Sequence, residues 1–171
     1  MRRTLLTLMT AAAFLTAHAQ VPNMEPPVAI NELKWMSGTW EGKGSFSAQG
    51  MEMDYTVSMT CSIDGQFLKT YSVNDFGVMK MSETMYIGWE EAKKEYVGYA
   101  FTNMAPTPRI ERGKLEGASW ILVSEPWEVM GTSMVTRATM TKVSDTKSKF
   151  KLEMKNGDKW DVASEVELTK K

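Results

Sequence analysis

Residues Leu33-Lys34-Trp35-Met36-Ser37-Gly38-Thr39-Trp40-Glu41-Gly42-Lys43-Gly44 read as the opening of a β-barrel. A short helical turn over 30–36 runs into a Gly-x-Trp corner and then a glycine-rich first strand. Gly38 can take backbone angles closed to other residues, so the chain can leave the turn and enter a strand sharply. Trp40, two residues on, shares a strand face with Gly38 and can lie across one end of a barrel as a plug. Glycines 42 and 44 continue that face without side chains, which suits a bent strand or a close approach by a neighbouring backbone.

The next stretch supplies the wall. Met51, Met53, Tyr55, Val57, Met59, Cys61 and Ile63 alternate without interruption against Glu52, Asp54, Thr56, Ser58, Thr60, Ser62 and Asp64. A strict period of two places one face in a core and the other in water, and the length suits a curved strand. Asp64-Gly65 turns the chain into 67–74, and Asp75-Phe76-Gly77 turns it into 79–89. Further strands are expected at 96–102, 109–114, 119–124, 134–143, 149–155 and 159–168. Residues 103–108 form a proline-containing loop placed to be the lip of a cavity. The fold expected is all-β: an antiparallel up-and-down barrel of about ten strands, lipocalin- or calycin-like, with a short N-terminal helical turn. At Asn156-Gly157 a two-residue hairpin would conflict with the apolar pattern. The pattern, which faces Trp160, Val162, Val166 and Leu168 together, requires an extra loop residue or a bulge.

Residues 1–19 read as a signal peptide. Arg2 and Arg3 precede an apolar run from Leu5 to Leu15, and Ala17-His18-Ala19 offers small residues at both cleavage positions. The chain is therefore expected to be exported, to a bacterial periplasm or beyond, and cleaved after Ala19. The run is too short to span a bilayer. Residues 20–29, with three prolines, read as an N-terminal tether, and 30–171 as one barrel domain. Without residues 1–19 the net charge falls from −1 to −3, which gives no electrostatic reason to bind nucleic acid. Cys61 is the only cysteine and His18 the only histidine. Residues 20–171 thus have no imidazole for a haem, a zinc site of usual type or a catalytic pair. Carboxylates such as Glu83 and Glu111 are plentiful, but no nucleophile, base and orienting group stand together, and the reading is non-enzymatic.

The residues Leu33 to Gly44, Gly65-Gln66-Phe67-Leu68, and Tyr86-Ile87-Gly88-Trp89-Glu90 through Tyr96-Val97 resemble landmarks of a bacterial family catalogued as domain of unknown function 1579. The resemblance spans roughly residues 31–169. It implies a ten-stranded barrel akin to the calycins and no particular activity. The Gly-Thr-Trp-x-Gly start also resembles nitrobindin-type haem barrels, whose haem is held by a histidine near the C-terminus. No position after residue 19 matches that histidine, so no cofactor is expected.

The function expected is binding of a small apolar or amphipathic ligand. The cavity candidates are Met53, Tyr55, Met59, Phe67, Lys69, Tyr71, Met81, Glu83 and Met85, flexible or aromatic side chains with one charged pair. A three-residue loop at 75–77 would pair Lys69 directly with Glu83 across a hairpin, as a polar anchor inside an apolar cavity. Two alternatives stand beside this reading. One is a filled barrel acting through a protein partner. The other is a Cu(I) site at Met51-x-Met53 and Met79-x-Met81, since thioethers favour Cu(I).

Overall fold

Alternating side chains oblige each strand to bury one face, and in this chain the faces close on themselves. The structure, a computed structural model, describes residues 25–48, 50–129 and 131–171. The signal-peptide reading and most of the tether lie outside the described residues. Helix α1 (Val28–Glu32) and a 3-10 turn (Lys34–Met36) precede β1 (Gly38–Ala48), β2 (Met51–Asp64), β3 (Phe67–Asp75), β4 (Lys80–Glu90) and β5 (Glu95–Thr102). Then follow β6 (Arg109–Glu116), β7 (Ser119–Ser124), β8 (Trp127–Val129), β9 (Thr132–Met134), β10 (Thr136–Lys142), β11 (Lys147–Asn156) and β12 (Lys159–Lys170). Ten of these strands form a closed antiparallel barrel in the order β1-β12-β11-β10-β7-β6-β5-β4-β3-β2. Closure leaves no unpaired edge. The remaining pair, β8 and β9, is a separate two-stranded flap; it takes Met134 from the strand expected at 134–143, whose wall portion is β10.

The helical segment closes one end. Trp40 is 1% exposed, and its Nε1 donates to Met36 O at 2.6 Å. Trp35 meets it edge-on at 6.1 Å. Tyr96 Oη donates to Ala29 O at 2.8 Å, tying the helix across the barrel. Lys170 Nζ donates to Trp35 O at 3.1 Å and lies 5.1 Å from the Trp40 ring. Gly38 has φ +124°, and a Cβ there would stand 2.6 Å from Lys170 Cε. A Cβ at Gly44 would stand 2.5 Å from the Val166 side chain, so the glycine lets β12 lie tightly on β1. Val28 and Ala29, read as tether, belong to α1, and Gln66 Nε2 donates to Glu25 O at 2.8 Å.

Strand β2 keeps the alternation read for it, with Tyr55 and Cys61 buried on the inner face. Strand β3 reverses its expectation. The loop between β2 and β3 has only Gly65 and Gln66 outside the ladder, so Asp64 pairs with Phe67 and Ile63 with Leu68. Gly65 takes φ +57° at the first loop position, as a two-residue hairpin of this kind needs. Phe67 therefore follows Asp64 to the outer face. Leu68, Thr70, Ser72 and Asn74 turn inward.

The β3–β4 loop has four residues, not three. Asp75 pairs with Lys80, and Phe76 N donates to Met79 O at 3.0 Å. Lys69 consequently faces Tyr86, and Glu83 faces Ser72. The expected Lys69–Glu83 pair does not form, because a register shift by an odd number sends the two side chains to opposite faces. At the last hairpin Asn156 pairs with Lys159, and a bulge between Leu152 and Glu153 places Leu152 opposite Ser164. The bulge absorbs Ala163. Val166 and Leu168 face the core, whereas Val162 is exposed and Trp160 is covered from outside by Arg137 at 4.5 Å.

Candidate functional site

The half of the barrel next to the helix is solid. Trp40, Cys61, Leu68, Ile87, Tyr96, Trp120, Leu122 and Met140 are buried together there. Burial pushes the Cys61 thiol up to about 12, only partly opposed by the charge of Lys170, so it stays a thiol. The other half carries the chemistry. Its rim consists of loop 76–79, loop 103–108, the β8–β9 flap and the β11–β12 hairpin. Phe76 folds over it, stacking on Tyr55 at 5.0 Å and meeting Phe46 edge-on at 6.5 Å. Asn103 pins the lip: its Nδ2 donates to Lys80 O at 3.0 Å, and its Oδ1 accepts from Ser82 N at 2.9 Å.

At this end the interior is polar. Strands β4 and β6 point Glu83, Arg109 and Glu111 inward together. Arg109 Nη1 and Nη2 reach the two Glu83 oxygens at 2.9 and 3.0 Å, an end-on bidentate pair. Arg109 Nε donates to Glu111 Oε1 at 2.8 Å. Trp127, from the flap, lies under the guanidinium at 4.9 Å. The side chains of Arg109 and Glu83 are 12% and 15% exposed, while Glu111 is 1% exposed. Burial alone would lower the Arg109 pKa, but the charges of Glu111 and Glu83 more than offset it, and it is raised. Burial raises the Glu111 pKa, against Arg109 and with the help of Glu83.

Two carboxyls share one guanidinium, and one oxygen is left over. Glu111 Oε2 is buried with no hydrogen-bond partner, as are Trp120 Nε1, Trp127 Nε1 and Ser37 Oγ among the described residues. Buried polar atoms are almost always satisfied. Glu111 Oε2 is thus the oxygen of this cluster that no described group meets. On the facing wall, Tyr55 Oη of β2 shares a hydrogen bond with Ser164 Oγ of β12 at 2.7 Å, and burial raises the Tyr55 pKa.

Of the cavity candidates read from the sequence, the structure gathers Met53, Tyr55, Met59, Met81, Glu83 and Met85 on the inner face of β2 and β4. Phe67, Lys69 and Tyr71 stand on the outer face: Phe67 and Tyr71 are 45% and 48% exposed, and Lys69 Nζ lies 5.4 Å from the Tyr86 ring. Met79 falls in a loop rather than on a strand, which parts it from Met81 and removes half of the expected Cu(I) geometry. The sequence by itself does not bring Arg109, Glu111 and Trp127 together as a site. The pattern Arg-x-Glu on an otherwise ordinary strand was the available signal, but its partner Glu83 lies two strands away in sequence.

A family model for the THAP4-like, heme-binding beta-barrel domain matches residues 29–171. The chain belongs to this family. Of the two resemblances read from the sequence, the match supports the nitrobindin-type one. The crystal structure of Rv2717c from M. tuberculosis shares the fold, with a TM-score of 0.64 at 14% sequence identity, covering 86% of this chain and 99% of that one. No curated protein matches the chain.

The family implies haem, and the residues present do not fit it. Residues 25–171 contain no histidine. Among the described residues no group of three or more His, Cys, Asp or Glu side chains is arranged to hold a metal. The buried side chains that could ligate iron as anions, Tyr55, Tyr96 and Cys61, are held neutral by burial. At the end of the barrel away from the helix, an ion-paired arginine occupies interior space that a porphyrin would need to be apolar.

Proposed function

We propose that this chain is an exported, non-enzymatic barrel that binds a small amphipathic molecule at its open end and has exchanged haem for that ligand. Family membership supports a small-ligand barrel, and the charged start and short apolar run of residues 1–19 support export. The observation that carries the reading is the buried, unpartnered Glu111 Oε2 against Arg109. Methionines 53, 81 and 154 at the same end are pliable enough to mould around an apolar tail. A recess of about 310 Å³ opens where β1 and β12 part at the bulge, beside Ala48, Met154 and Ala163.

Small molecules extracted from the purified native protein and identified by mass spectrometry are expected to include one amphipath near one-to-one stoichiometry. Haemin titrated into the full chain is expected to give no sharp Soret band. A saturable one-to-one band, whether it survives His18→Ala or not, would overturn the exchange of ligand.

A second reading, a filled barrel acting through a protein partner, is favoured by one separate feature. The outer wall of β3, β4 and β5 exposes Phe67, Tyr71, Tyr99 and Phe101 around Tyr86. Contiguous exposed aromatics on a wall of this kind mark contact surfaces.

A further inference from the structure

We infer that the open end holds a neutral hydrogen-bond acceptor, the carbonyl of a ketone, ester or amide at the head of an apolar tail, between Glu111 and Trp127, and rejects carboxylate and ammonium heads on the same tail. This rests on the small-ligand reading above and names the chemistry of its headgroup.

The argument is one of charge and of donor count. In many sites a buried arginine would announce a ligand carboxylate. Here Glu83 already occupies that role, taking Nη1 and Nη2 at 2.9 and 3.0 Å. An anionic head would add another negative charge to a site whose guanidinium charge is already met, in a medium too dry to screen it. An ammonium head would have to settle against the Arg109 guanidinium, which is anchored at 2.8 Å to the same Glu111 it would seek.

What the site lacks is an acceptor. Trp127 Nε1 can only donate, and it is buried without a partner. It is held to the site by stacking on Arg109 at 4.9 Å. Glu111 Oε1 accepts from Arg109, leaving Oε2 to the interior. Among the described residues Glu111 has an ion pair with Arg109 alone, which Glu83 also takes, and burial favours the protonated acid. Its Oε2 is then an O–H donor. One carbonyl oxygen, with two lone pairs, can accept from the acid and the indole while leaving the net charge of the site unchanged.

The test uses the full chain and three ten-carbon probes that differ only at the head: 2-decanone, decanoate and decylammonium, titrated calorimetrically at pH 7. The ketone is expected to bind about tenfold or more tighter than either ion. Glu111→Gln, which keeps a neutral donor, is expected to preserve the preference. Trp127→Phe, on the flap outside the barrel ladder, is expected to weaken the ketone severalfold and leave the ions unchanged. Equal affinity for all three heads, tighter binding of an ion, or loss of the preference in Glu111→Gln would overturn the headgroup assignment while leaving the barrel a binder. Absence of binding by every probe would overturn the small-ligand reading with it.

Discussion

Trp40→Ala is expected to destabilise the protein by about 3–5 kcal/mol, the usual range for emptying a large buried aromatic site. The loss should fall at the upper end of that range. The indole is 1% exposed and does three things at once. Its ring fills the end of the barrel, its Nε1–H satisfies Met36 O at 2.6 Å, and its face receives Lys170. Truncation opens a void under the helical turn and leaves a buried carbonyl without its donor. The void cannot collapse readily, because Trp40 sits in a closed ladder paired with Met59 on one side and Lys170 on the other. Chemical denaturation of the wild type and variant measures the difference. A loss below 1 kcal/mol would show that the plug is not part of the cooperative core.

Arg109→Met is expected to cost about 3–5 kcal/mol, the effect of removing one partner of a buried ionic group. Glu83 would be left buried in the barrel without its cation, beside the Glu111 acid. Replacing all three with apolar or neutral residues of similar size is expected to cost much less, since the desolvation of the charges disappears with them. The comparison separates the network from the space it fills.

The same cluster sets a pH dependence. Burial raises the Glu111 pKa above its unfolded value. Its contribution to stability is therefore full below the unfolded value and is lost as pH rises through the folded one. Glu111→Gln, neutral throughout, is expected to flatten that decline. A decline that persists unchanged in Glu111→Gln would assign it to another group.

Much of the barrel was legible in the chain. Residues 51–64 announce their buried face through uninterrupted alternation, and the bounds of β2 coincide with that run. The Gly-x-Trp corner was legible as a plug because a run of alternating strands follows it, and Trp40 is indeed buried at one end. The number of wall strands followed from alternation and the spacing of turn residues.

The site was legible only in pieces. Glu83 and Glu111 stood out as carboxylates, but Glu83 was given to Lys69 because Phe67, Tyr71 and Val73 look like a buried face. They do not form one. A hairpin loop of one residue more or less inverts a strand, and the Gly65-Gln66 loop fixes Phe67 opposite Asp64 on the outside. Composition could not reveal that this wall is aromatic without and polar within.

Local chemistry by itself determined the strands, the corner and the want of histidine in residues 20–171. These depend on neighbours one or two residues apart, where alternation and backbone freedom act directly. Only the tertiary structure decided which faces look inward and that Arg109 joins Glu83 to Glu111. Those facts depend on loop lengths summed around a closed ring, and on a bulge at Ala163 that no local pattern located.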